Sequence, residues 1–258
     1  RAISFAHADN LQGTVDHIRS VIRAAQNSNT HAIVFVTGVP GSGKTLAGLS
    51  AIHDTGNEAD GHNKPLGAYL SGNGPLVDVL RYALAKDKSA RDGLPINEAT
   101  RAAETFVQPI HGYVREYSNT HKVPPEHVVV FDEAQRAWDA KRMKQKQQLD
   151  SSQASFMLDV MSRVPNWAVL VALVGEGQEI NAGEAGLGAW VDAVAAHPAW
   201  HVHVAPDLSD AFSPMADRVT SQSPLHLSAS VRAPRARAIA DWADALVLGH
   251  LDKVSQLL

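Results

Sequence analysis

The chain contains no cysteine. That absence excludes disulfides, thiolate zinc sites and cysteine nucleophiles together, and it fits a reducing compartment such as the cytoplasm. No apolar run approaches the ~20 residues needed to span a bilayer, so no membrane partner is expected. The opening Arg1-Ala2-Ile3-Ser4 lacks the basic-then-apolar pattern of a secretory signal, and a first residue other than Met reads as a processed or excised chain. Charge of one sign is not in excess either. There are 23 Lys and Arg against 27 Asp and Glu, a net charge of −4, so any nucleic-acid surface must be a local patch. HExxH and GxSxG are missing. Asn63-Lys64-Pro65-Leu66 lacks the final Asp of a guanine-reading motif, which leaves GTP specificity unsupported.

The 258 residues suffice for one large α/β domain, with or without a small appendage. Val15, Ile18, Val21, Ile22 and Ala25 recur at helical spacing within residues 11–26. Ile33-Val34-Phe35-Val36 predicts a buried strand, and residues 44–53 a helix. Residues 56–65 read as a loop, 68–71 as a second strand, and Pro75 as the start of another helix. Residues 86–94 are charged and read as surface, and 106–110 as a weak strand. Val128-Val129-Val130-Phe131 and residues 168–174 predict buried strands, with a helix around Phe156 to Val164 between them. Residues 201–204 and 225–227 read as late strands and 233–248 as a helix, and the stretch from Pro206 to Pro224 reads as loop. Strands alternating with helices imply an α/β fold, a mainly parallel sheet with helices on both faces.

Gly38-Val39-Pro40-Gly41-Ser42-Gly43-Lys44-Thr45 matches GxxxxGK[ST] completely, between a predicted strand and a predicted helix. Glycines let the backbone turn so that consecutive N–H groups face phosphate oxygens, and the helix start adds its positive dipole end. Lys44 supplies a cation for the β- and γ-phosphates and Thr45 a hydroxyl for magnesium. The candidate nucleotide contacts are Gly38, Pro40, Gly41, Ser42, Gly43, Lys44, Thr45 and Leu46. The strand 128–131 delivers Asp132 at its carboxyl end, where ligands bind in open α/β sheets. Asp132 is the expected second magnesium carboxylate, and Glu133 the expected general base for the attacking water. ATP and Mg2+ are the cofactors this pairing calls for.

Asp132-Glu133-Ala134-Gln135 reads as a DEAQ box. Leu173-Val174-Gly175-Glu176-Gly177-Gln178 resembles motif III of superfamily 1 helicases, which implies that Gln178 senses the γ-phosphate. Residues 225–232 resemble motif IV, which implies that Arg232 reaches the same group, and Leu70-Ser71-Gly72-Asn73 lies at the place of motif Ia. Together these pieces resemble the Schlafen-group-3-like DNA/RNA helicase domain of bacteria. The resemblance implies a RecA-like motor lobe that couples ATP hydrolysis to work on DNA or RNA. It divides the chain into a lobe over residues 1–224 and a strand and helix over 225–258 that could begin a second lobe. Only 26 residues follow Arg232, too few for a second lobe of ~100 residues, so the chain reads either as a fragment of a longer motor, with a second lobe or partner subunit to complete it, or as a single-lobe ATPase.

Other residues carry two readings each. Arg232 is a γ-phosphate ligand or a surface arginine in company with Arg235 and Arg237, and Gln178 a sensor or an ordinary turn residue. The run Lys141-Arg142-Met143-Lys144-Gln145-Lys146 tracks a phosphate backbone or is a solvated face. Trp138 stacks a base or packs, and Ser71 and Asn73 touch a nucleic-acid backbone or only cap a turn. His197, His201 and His203 read as structural or surface residues because no carboxylate joins them at metal spacing. The expected function is a helicase-type ATPase. The alternative is an ATP-switched regulatory or assembly ATPase without helicase activity.

Overall fold

The computed structural model describes residues 2–53, 67–175 and 186–228, with side chains from Asn10 onward. Apolar runs without alternation are what a parallel sheet covered on both faces requires, and such runs form its centre. The strands are β1 (His31–Gly38), β2 (Gly67–Ser71), β3 (Val107–Pro109), β4 (Val128–Phe131), β5 (Ala168–Leu173), β6 (Trp200–Val204), β7 (Val219–Ser221) and β8 (His226–Leu227). They run in the order β3-β2-β4-β5-β1-β6-β7, and every described pairing is parallel. β6 pairs with the start of β1, and β8 pairs beyond it with Thr37 and Gly38 at the end of β1.

The helices are α1 (Ala2–Ser28), α2 (Lys44–His53), α3 (Gly74–Asp92), α4 (Ile96–Phe106), α5 (Ile110–Tyr117), α6 (Ala140–Gln147), α7 (Gln153–Met161) and α8 (Gly186–Ala196). Alternate residues of each strand feed two separate cores. Ile33, Phe35, Phe131, Leu170 and Val202 pack with α5, α7 and α8, around Trp190 and Trp200. Val34, Val36, Val130 and Val171 pack with α1 and α2 on the opposite face. The expected apolar stripe of α1 is buried as a unit, with Ile18 fully inaccessible. This is the three-layer α/β architecture the sequence called for.

The differences are local. The charged residues 86–92 are the last turns of α3, which stops at Gly93 in a left-handed conformation (φ 68°). Helices α4, α5 and α8 and strand β7 were not foreseen. The stretch expected to be loop between Pro206 and Pro224 contains 3-10 turns over Pro206–Arg218 and Ser223–Leu225, with β7 extending the sheet edge. The expected loop at 56–65 and helix at 233–248 lie outside the described residues.

Candidate nucleotide-binding and catalytic site

The parallel order places the carboxyl ends of β1, β5 and β4 side by side, so the loops leaving them share one edge of the sheet. The loop Gly38–Thr45 leaves β1 and runs directly into α2. Gly41 and Gly43 adopt φ of 76° and 92°, values that turn the chain back on itself. Gly38 is required for a different reason. A Cβ there would stand 2.5 Å from the Leu227 carbonyl oxygen and 2.8 Å from Ser42 Oγ. Lys44 Nζ donates to the carbonyls of Gly38 and Val39. Ser42 is buried and its hydroxyl has no protein partner. Pro40 and Leu46 face outward, Leu46 at 52% exposure despite its apolar side chain.

Across this loop stands Asp132, 4% exposed at the end of β4. Its backbone N–H continues the sheet by donating to Leu70 O at 2.9 Å. Burial pushes its carboxyl up to about 6; the neighbouring Glu133 charge adds to this, while the Tyr69 hydroxyl and the Lys44 cation oppose it. Asp132 Oδ2 has no hydrogen-bond partner. The Tyr69 hydroxyl, carried by β2 and fully buried, lies beside both Thr45 and Asp132 without a partner at full hydrogen-bond geometry. Burial, and then the Asp132 charge, holds that phenol firmly protonated. Tyr69 therefore links the two residues expected to hold magnesium. Its signal in the sequence was a lone phenol within the apolar run Gly67-Ala68-Tyr69-Leu70.

Glu133 sits in the left-handed region (φ 53°, ψ 47°), which costs a non-glycine residue about 1 kcal/mol or more. Its neighbours hold it there. Gln135 Nε2 donates to Glu133 Oε2 at 2.5 Å, and Gln135 Oε1 accepts from the Gly175 N–H at 2.8 Å. Trp190 Nε1 donates to Ala134 O at 2.7 Å from beneath. Gln135 belongs to the DEAQ box, but its spacing alone assigned it no role.

A second cluster braces the loop from behind. Thr37 Oγ1 donates to Asp207 Oδ1 at 3.0 Å and lies 2.9 Å from His226 Nδ1. Val39 N–H donates to Leu227 O at 3.3 Å, so β8 touches the Gly38–Thr45 loop directly. None of these contacts was visible in the linear sequence, because the partners are some 170 to 190 positions apart.

The softer candidates fare unevenly. Gln178 and Arg232 lie outside the described residues. Ser71 Oγ accepts from Asn73 N–H, and Asn73 Oδ1 caps α3 by accepting from Leu76 N–H. Trp138 stacks on His111 at 4.2 Å between centroids, and the Arg142 guanidinium lies 4.7 Å from its ring centre. The basic run forms α6, with Met143 buried and Lys144 paired to Asp150 at 2.6 Å. His197 pairs with Asp159, and His203 meets His17 edge-on. Among the described residues no helix is long and apolar enough to cross a membrane.

The donor set suits a magnesium nucleotide. A threonine hydroxyl and an unpartnered buried carboxylate oxygen are hard ligands for a small dication, and the glycine loop leaves backbone N–H groups for phosphate. A search of curated proteins finds no match. A family model described as Schlafen group 3, DNA/RNA helicase domain, matches residues 31–257. That match runs from β1 through the Gly38–Thr45 loop, the strand before Asp132 and β8, and the chain belongs to the Schlafen group 3 DNA/RNA helicase domain family.

Proposed function

We propose that the chain binds ATP with Mg2+, hydrolyses it, and does so in the service of DNA or RNA. The observation that carries this reading is the convergence of Lys44, Thr45, Tyr69 and the buried Asp132 carboxylate at one edge of the sheet. In this reading the N–H groups of Gly41 and Gly43 face the phosphates, and that of Ser42 leaves the Val39 carbonyl, to which it donates at 3.1 Å, to join them. Lys44 exchanges its contacts with the Gly38 and Val39 carbonyls for the β- and γ-phosphate oxygens, and Leu46 lies outside against the nucleoside. Thr45 and Asp132 would hold Mg2+, which would supply charge neutralisation on the phosphates as ADP leaves. Glu133 takes a proton from water as the water oxygen attacks the γ-phosphorus. The bond to the bridging oxygen breaks, leaving ADP and inorganic phosphate. Gln178 and Arg232 complete the γ-phosphate contacts, and the chain after β8 begins a second lobe or meets one on a partner.

The family supports the nucleic-acid role. A net charge of −4 favours the second reading, an ATP-switched regulatory or assembly ATPase. ATPase rate measured with and without single-stranded DNA and RNA separates the two. Stimulation supports the motor reading. Hydrolysis indifferent to both nucleic acids, together with nucleotide-dependent oligomerisation, supports the switch.

A further inference from the structure

On the side of Asp132 away from β1 lies a pocket of about 310 Å³. It includes no residue of the phosphate loop, yet Asp132 and Glu133 form one of its walls. At that volume it sits at the small end of ligand pockets, suited to a group rather than a whole cofactor. Its back is apolar, made by Phe131 and Ile110.

Three of its lining residues, Asp132, Gln153 and His111, each carry a buried polar atom without a partner. Gln153 is 2% exposed, and its Oε1 is committed to the Trp138 N–H at 3.0 Å while its Nε2 has no partner. His111 Nδ1 is likewise buried without a partner. Burial, and then the charges of Arg115 and Arg142, lowers the pKa of this imidazole, which favours its neutral form. A neutral imidazole and a carboxamide are hydrogen-bonding partners for a neutral heterocycle edge. The remaining wall is the stacked Trp138 ring with the Arg142 guanidinium over it. Arg136, Arg142 and the Gly72-Asn73 turn that opens the 19-residue α3 lie around the pocket, offering cations and a positive helix end.

We infer that this pocket takes one unstacked base of a single-stranded DNA or RNA segment, with the strand's phosphates on the rim at Arg136, Arg142 and the start of α3. The inference rests on the nucleic-acid reading above and adds to it a base-receiving site whose wall is the catalytic carboxylate pair. A duplex, whose bases remain stacked, has no group to insert. Trp138 acts as a wall braced by His111 and Arg142, so base recognition falls to Gln153 and His111.

Anisotropy titration of the full chain with a labelled oligothymidylate, and with the same sugar-phosphate backbone made abasic, tests this in the presence of Mg2+ and a non-hydrolysable ATP analogue. The intact strand is expected to bind at least about fivefold more tightly than the abasic one. Gln153→Glu keeps the acceptor for Trp138 and removes the donor, and His111→Phe keeps the ring stack and removes the nitrogen. Each is expected to erase most of that preference while leaving the abasic affinity unchanged. Equal binding of intact and abasic strands, with hydrolysis still stimulated by nucleic acid, overturns the pocket and spares the proposed function. A preference that survives both substitutions also overturns it. If neither strand binds and hydrolysis is indifferent to both, the nucleic-acid reading itself falls, and the pocket's assignment with it.

Discussion

The Gln135 amide joins Glu133 Oε2, at 2.5 Å, to the backbone N–H of Gly175, at 2.8 Å. One side chain thus fixes the proposed base and the end of β5, from which the chain runs on to Gln178. Gln135→Leu removes both contacts and leaves a buried N–H without an acceptor, a cost of about 1–3 kcal/mol. The expected result is a lower melting temperature and slower hydrolysis, with ATP affinity in a fluorescence titration little changed. Unaltered turnover would show that Glu133 does not depend on this brace.

Lys44→Ala and Glu133→Gln separate binding from chemistry. The first removes the phosphate cation and is expected to abolish nucleotide binding or hydrolysis. The second retains binding and traps ATP, lowering turnover by about 10²–10⁴-fold, the usual contribution of a general base. Normal hydrolysis by Glu133→Gln would assign the base elsewhere.

Tyr69→Phe deletes only the hydroxyl beside Thr45 and Asp132. Outer partners of metal ligands typically contribute about 10–100-fold to affinity. The Mg2+ concentration needed for half-maximal nucleotide binding is expected to rise, while binding at saturating Mg2+ is retained. An unchanged Mg2+ titration would reduce Tyr69 to a packing residue.

Gly38→Ala forces a methyl group against the Leu227 carbonyl at 2.5 Å. Either the phosphate loop or β8 has to move. Thermal unfolding is expected to fall by several degrees, and ATP binding to weaken with it. A variant as stable as the parent would mean that β8 yields at no cost.

His203 gives a pH signature independent of catalysis. Burial, then its neighbours His17 and His201, lower its pKa to about 4 from an ordinary 6.5. Between those values the unfolded chain binds the proton and the folded chain does not, so stability is present above pH 6.5 and is lost as pH falls toward 4. In melting curves across that range, His203→Leu is expected to flatten the decline. An equal slope in parent and variant would remove His203 as its source.

Much of this protein can be read directly from the residues. Glycines at fixed spacing before Lys44-Thr45, an apolar strand before them and an acidic pair after residues 128–131 dictate their own local geometry, because turn, helix start and strand end are short-range properties. The apolar stripe of α1 and the buried strands follow from the periods of helix and parallel sheet. The misses have equally local causes. The short, mixed-polarity segments of α4 and α5 gain their order from the residues they pack beside. Residues 206–218 carry prolines that suggest loop, yet Phe212 and Met215 are buried in the core. What the linear order could not supply is distance in space. That Tyr69 of β2 lies beside Thr45 and Asp132, that Thr37 meets Asp207 and His226, and that Gln153 and His111 line one pocket depend on strand order and helix placement. Those are decided by which apolar faces bury one another, a choice made by the whole chain at once. The linear order suffices for the Gly38–Thr45 motif and the acidic pair Asp132-Glu133, because their geometry is local; what braces them and what opens beside them follows from how the apolar faces of the whole chain bury one another.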